Sequence, residues 1–249
     1  MSGRHRDEAS VLIVGVGALG CAAAEALAEA GVGRLTLMDP DRVERSNLHR
    51  QLLHRQADIG RPKVESAREK LTARHPALRL SALATRLDQS NGATILAEHD
   101  CVIDATDGLS TKFLVNDLAI LAGRPLVHGG ILRFLGQLMT VIPGRSACYR
   151  CLFGAPPEAG DLPSCQEAGV LGSLAGTIGL LQAAEALRLI TANGPLLSDR
   201  LLTYDALACR WRHVRLRRNP ACAACGSMSA GPAADPAPDP GLAKSSSKG

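Results

Sequence analysis

Four cysteines in two pairs, "CYRC" at residues 148–151 and "CAAC" at residues 222–225, pose the first chemical question of this sequence. Each pair has the C-x2-C spacing with which one turn of chain presents two thiolates to a tetrahedral ion at about 2.3 Å. Cys148, Cys151, Cys222 and Cys225 together read as a structural zinc site, with redox or plain core cysteines as the alternatives that spacing leaves open. A closed set of four sulfurs leaves no position for water, so such a site would be scaffold rather than catalyst. Cys165, in "PSCQEAGVLG", differs: it lies in a Pro- and Gly-flanked loop before a helix expected to begin near Gly172. A helix amino terminus lowers a thiol's pKa, so a reactive thiol competes there with an inert loop cysteine. Cys21, Cys101 and Cys209 fall in an expected helix and expected strands and read as small buried hydrophobes.

A second chemistry begins at "GVGALG", where Gly15, Gly17 and Gly20 follow a strand and open a helix, with Asp39 at the end of the next strand. Glycines there permit a tight turn and close approach of phosphate, the helix terminus aims N–H groups, and the acid takes ribose hydroxyls. A purely structural glycine turn is the competing reading, and the loop alone does not separate a nicotinamide enzyme from one that uses ATP. The following segment does: "DPDRVERSNLHRQLLHRQADIGRPK" gathers Asn47, Arg50, Gln51 and Lys63, two amides and two cations that suit a triphosphate. Arg50 and Lys63 would offset charge developing on phosphorus during displacement, although either alone reads as a solvated surface cation. In "DATD", Asp107 can hold Mg²⁺ or cap the next helix in rivalry with Ser110 and Thr111; Asp104, nearer the sheet, reads as a hydrogen-bonded structural acid. His128 reads as a core histidine.

The elements that must position these groups alternate. "SVLIVG", an Ala-rich helix over about Leu19 to Ala30, and "RLTLMD" make a βαβ unit. A helix with Pro62 in its first turn, the strand "LRLSALA", the buried strand "CVIDATD", a helix from "STKFLVNDLAILAG" and the strand "PLVHGGI" continue it. "QLMTVIP", "LLTYD" and "CRWRHVRLR" read as antiparallel strands around a long helix at 172–192. The fold class is therefore α/β: a Rossmann-like, mostly parallel sheet with helices on both faces, extended by antiparallel strands and a four-cysteine zinc site. Residues 1–226 form one domain, and the Pro- and Ser-rich residues 227–249 form a disordered tail.

Composition excludes several classes. At 249 residues and 46% apolar content the chain buries a real core. With aromatics at 2% and 28 basic against 24 acidic residues, it has neither base-stacking rings nor a dense basic field, and nucleic acid is not an expected partner. No apolar run spans a membrane, so a cytoplasmic setting is expected. The basic run at 209–220 reads as a solvated edge strand, with an acidic protein partner as the alternative.

"GVGALG", "SNLHRQ", "DIGRPK", "DATD" with a downstream "ND", "CYRCLF", "PSCQEAGVLG" and "CAAC" occur in an order that resembles the ubiquitin-activating-enzyme-like ThiF/MoeB/HesA adenylyltransferases, over residues 10–226. The "PSCQEAGVLG" wording is most similar to the molybdopterin-synthase type (MoeB), with the thiamine type next. The resemblance implies ATP-dependent adenylation of the C-terminal Gly-Gly carboxylate of a small ubiquitin-like sulfur-carrier protein. It also implies Asp39 on ribose, Asn47, Arg50 and Lys63 on the phosphates, Asp107 on Mg²⁺, Zn²⁺ on the four cysteines, a homodimer, a separate sulfur donor protein, and a Cys165 that in some members bonds to the carrier. Two departures matter. The family's amino-terminal arginine segment is absent, leaving Arg4 and Arg6 as replacements, and the usual "DATDN" followed by arginine appears as "DATDG" with Lys112. An NAD-dependent oxidoreductase and a non-catalytic nucleotide- and zinc-binding scaffold are the rival functions.

Overall fold

The computed structural model describes residues 5–156 and 169–228. Eight strands form one sheet: β1 (Ser10–Val14), β2 (Arg34–Met38), β3 (Arg79–Leu83), β4 (Cys101–Asp104), β5 (Leu126–Leu132), β6 (Leu135–Val141), β7 (Arg200–Asp205) and β8 (Arg210–Arg215). Their order is β3-β2-β1-β4-β5-β6-β7-β8. The first five are parallel and the last three join antiparallel. The parallel half has uninterrupted apolar strands because helices cover both its faces; all of β1 and β4 is buried.

One face packs against α1 (Ala18–Glu29), α2 (Lys63–Arg74) and the long α6 (Gly172–Thr191). The other packs against α3 (Gly92–Ala97), α4 (Leu109–Leu121) and α5 (Tyr149–Phe153). α1 and α6 pack tightly at Gly179, where a Cβ would lie 2.3 Å from the Leu19 carbonyl oxygen. The expected sheet and its antiparallel extension are present. The short α3 and α5 escape a reading of the sequence, since neither spans enough residues to display a 3.6-residue period.

Order reverses between β1 and β4, and register then decides what meets there. Val14 is level with Met38 on one side and Asp104 on the other, so Gly15, Asp39 and Ala105 leave the sheet side by side. This is the crevice where open α/β sheets bind ligands. The last strand, β8, is exposed along its whole length, as the basic run predicts. Cys209 departs from the reading of a buried strand cysteine. It is exposed in the β7–β8 turn at φ 50°, because the chain reverses there instead of continuing as strand. Of the expected tail, 229–249 lies outside the described residues. No described helix is long and apolar enough to cross a membrane.

Candidate functional site

Gly15 takes φ +94°, and a Cβ there would sit 2.7 Å from the Ala105 carbonyl oxygen, so both conformation and space require glycine. Gly20 lets α1 descend onto this turn: its Cβ would lie 1.9 Å from the Gly15 carbonyl oxygen, and it does not line the cavity. At Gly17 an added Cβ would meet only Gln51 Nε2 at 3.7 Å, so the missing side chain leaves open space. Gly17 also caps α1 without a side-chain hydrogen bond, which leaves the first-turn N–H groups free of side-chain acceptors.

Asp39 closes one side. Its Oδ2 accepts from Val16 N at 2.7 Å and its Oδ1 from Asp41 N at 2.8 Å. Burial raises its pKa, against the pull of Lys63 and those two N–H groups. Lys63, the first residue of α2, donates to Asp41 Oδ2 at 2.8 Å and lies 3.9 Å from Asp39 Oδ2. Burial lowers its pKa, but Asp39, Asp41 and Asp107 outweigh burial and hold it above the ordinary lysine value, so the ammonium is charged at neutral pH. A turn at Arg45–Asn47 brings in the next pair: Arg50 donates from Nη2 to Asn47 Oδ1 at 2.6 Å. Gln51 is buried beside them, and its Oε1 has no hydrogen-bond partner.

The two acids of "DATD" part company. Asp104, fully buried, accepts at Oδ1 from Thr106 N and Oγ1 (3.0 and 2.6 Å) and at Oδ2 from Lys112 Nζ and His128 Nδ1 (3.1 and 2.7 Å). Burial alone would raise its pKa; Lys112 and His128 overcome that and hold it well below the carboxylate range. It is the structural acid the sequence suggested. Lys112, the residue at the family's arginine position, spends its charge here and on the Gly129 carbonyl at 2.5 Å. His128 is a core histidine satisfied at one nitrogen only, since its buried Nε2 has no hydrogen-bond partner. Asp107 is exposed and lines the cavity, and α4 is capped by Gly108 without help from Ser110 or Thr111.

Gly15, Gly17, Asp39, Asn47, Arg50, Gln51, Lys63 and Asp107 all line one cavity of about 790 Å³, large enough for a nucleotide. Its far wall was missed by sequence reasoning: Thr85, Arg86 and Leu87 after β3, and Gln137, Thr203 and Arg212 from β6, β7 and β8. The last three are cross-strand partners in register, so their side chains share one sheet face, a placement no local motif announces. Arg6 lies elsewhere: its carbonyl accepts from Gly33 N, near the amino ends of the strands. Arg4 and Cys165 lie outside the described residues.

Below α4, the Sγ atoms of Cys148, Cys151, Cys222 and Cys225 lie within 4.8 Å of one another, with closest pairs at 3.8, 3.6 and 3.5 Å. Sulfurs bound to tetrahedral zinc are about 3.8 Å apart, so the donor set and spacing fit that ion. The Asn219 N–H donates to Cys151 Sγ at 3.3 Å. Asn116 and Asp117 of α4 fasten the knuckle by accepting from Tyr149 N and from the Arg150 guanidinium.

The family model described as the ThiF family matches residues 4–224. A sulfur carrier protein adenylyltransferase of Thermus thermophilus is 46% identical over 223 residues, covering 88% of this chain and 82% of that protein. A SAMP-activating enzyme E1 of Haloferax volcanii is 45% identical over 216 residues, covering 87% and 80%. Among solved structures, Escherichia coli MccB with ATP superposes with a TM-score of 0.79 at 23% identity, over 89% of this chain and 67% of that one, a likeness of fold.

Proposed function

This chain belongs to the ThiF family, and from that premise we propose that it is an ATP-dependent adenylyltransferase acting on the C-terminal Gly-Gly carboxylate of a ubiquitin-like sulfur-carrier protein. One observation carries the reading: the glycine loop, Asn47, Arg50, Lys63 and Asp107, scattered over the sequence, converge on a single cavity at the switch point of the sheet. A nicotinamide enzyme has no need of two cations beside the glycine loop, whereas a triphosphate does.

In the reaction a carboxylate oxygen of the carrier attacks the α-phosphorus of ATP. The bond to the β-phosphate oxygen breaks, pyrophosphate leaves with the electron pair, and an acyl-adenylate remains. The carboxylate is already ionised, so the chain supplies position and charge rather than a general base. Gly17 and the first turn of α1 give N–H groups to phosphate. Lys63 and Arg50 offset the repulsion between two anions, and Arg50 is held in place by Asn47. Asp39, anchored through both oxygens, presents a fixed acceptor to the ribose. Asp107, free of the protein donors that anchor Asp39 and Asp104, would hold Mg²⁺, which when bound supplies further charge neutralisation. Zn²⁺ on the four cysteines is scaffold.

The "PSCQEAGVLG" segment favours a MoaD-like carrier and sulfur transfer to molybdopterin; a ThiS-like carrier of thiamine synthesis is the competing substrate. A homodimer follows from the family resemblance, with a separate sulfur donor protein and a cytoplasmic setting as parts of the same proposal. The test is pyrophosphate release from ATP on adding MoaD-like and ThiS-like carriers, each intact and with its final Gly-Gly deleted. Release with one intact carrier only is expected, and Lys63→Ala should reduce it at least about 100-fold. Silence with every carrier, despite bound nucleotide, would support the scaffold reading instead.

A further inference from the structure

Behind the glycine loop runs a series of buried polar groups that the reading above leaves unused. The Val16 carbonyl lies 3.2 Å from His54 Nε2; His54 Nδ1 lies 3.0 Å from Ser66 Oγ; Ser66 Oγ lies 2.9 Å from Lys70 Nζ, which pairs with Asp58. A carbonyl only accepts, so Nε2 carries a proton, and the Ser66 oxygen accepts from the lysine ammonium. Burial lowers the pKa of the ring and favours its neutral form, in which Nδ1 accepts from the Ser66 hydroxyl. His54 is 4% exposed and Ser66 fully buried, and neither lines the cavity. Cys21 Sγ, 3.7 Å from His54 Nε2 and 3.5 Å from the Val16 carbonyl, packs beside the same junction.

Val16 is thus held from two sides, its N–H by Asp39 and its C=O by His54. In a trans peptide the C=O and the next residue's N–H point in opposite directions. Fixing the Val16 carbonyl toward His54 consequently aims the Gly17 N–H the other way, toward the cavity that Gly17 lines. His54 also follows directly on the Arg50–Gln51 turn, its N–H donating to the Gln51 carbonyl at 3.0 Å, and through Ser66 it grips the helix that begins with Lys63. We propose that His54 is the positioning residue of the nucleotide site, orienting the Gly17 N–H through the Val16 peptide and locking the glycine loop, the Arg50 turn and α2 into one frame. The inference rests on the adenylyltransferase reading, because nucleotide is what the oriented N–H would bind.

Two amide variants separate positioning from mere packing. The amide nitrogen of His54→Gln reaches the place of Nε2 and keeps the bond to Val16; that of His54→Asn reaches only the place of Nδ1. With a non-hydrolysable ATP analogue and calorimetry on the full chain, His54→Gln should bind within about threefold of wild type and His54→Asn about tenfold more weakly. In turnover, the ATP KM of His54→Asn should rise by a similar factor while kcat moves much less. Equal affinity in all three proteins, or equal weakening by Gln and Asn, would overturn the proposal. A wild-type protein that binds no nucleotide would overturn the adenylyltransferase reading itself. If His54→Asn does not fold, nitrogen-15 histidine NMR on the wild type decides: a neutral ring protonated on Nε2 is required, and a ring protonated on Nδ1 or charged at pH 7 refutes the arrangement.

Discussion

His54, His99 and His128 are three buried histidines whose pKa values burial lowers, so the folded chain resists a proton that the unfolded chain accepts at about pH 6.5. Their contribution to stability is intact above that pH and is lost as pH falls through the folded-state values. Each costs up to about 1.4 kcal/mol per pH unit over that window. Asp104 does not confuse the measurement, because its depressed pKa keeps it ionised until well into the acid range. We expect the urea midpoint to fall between pH 7 and pH 5. The fall should be shallower in His99→Gln, where the replaced ring donates to the Ile95 carbonyl at 2.8 Å and accepts from the Thr36 hydroxyl at 2.7 Å, outside the nucleotide cavity. A midpoint indifferent to pH would refute the assignment. At this scale residue type and spacing singled out Lys63, Asp107 and the four thiols, which the fold gathers on the cavity wall and in the cysteine cluster. The sequence was silent on His54 and His99, whose partners lie 38 and 63 positions away.

Among the elements, α6 shows why a glycine is kept inside a helix at a cost near 1 kcal/mol. Gly179 has the Leu19 carbonyl against it, and a Cβ would also press to 2.9 Å from Ala22 Cβ. Gly176, one turn earlier, would meet nothing within 4 Å. Gly179→Val is therefore expected to lower the unfolding free energy by about 1–3 kcal/mol through overpacking. Gly176→Ala should leave it unchanged or raise it by up to about 1 kcal/mol. Denaturant titration of both variants checks the pair, and a Gly179→Val as stable as wild type would mean the two helices are not packed as described. The helix itself was readable from its 20-residue span, and the parallel strands from their unbroken apolar runs. What α6 packs against was not, because Gly179 and Leu19 are neighbours only after the sheet has formed.

For the molecule as a whole, the cysteine cluster joins residues 74 positions apart and fastens the carboxyl-terminal segment under α4. Purified chain should contain one zinc per molecule by elemental analysis. Cys225→Ser should lose it and unfold more easily by about 2 kcal/mol or more; a zinc-free variant with wild-type stability would refute the scaffold role. The sequence foretold this junction from two short motifs, but not that the ring of Tyr149, between the first two thiols, lies tilted against His128 at 4.6 Å and so touches the partner of Asp104. The path of α6 has a further bearing, on how the chain comes to be made. Residues 10–132 contain every parallel strand, yet on the α1 side β4 and β5 are also covered by α6, which adds Leu174, Ile178, Ala183 and Ala186 to that core. During synthesis the nucleotide half must wait with that part of the face bare until residue 191 has left the ribosome. A polypeptide cut between β6 and α6 would yield two fragments that each expose apolar surface and regain order only by finding one another.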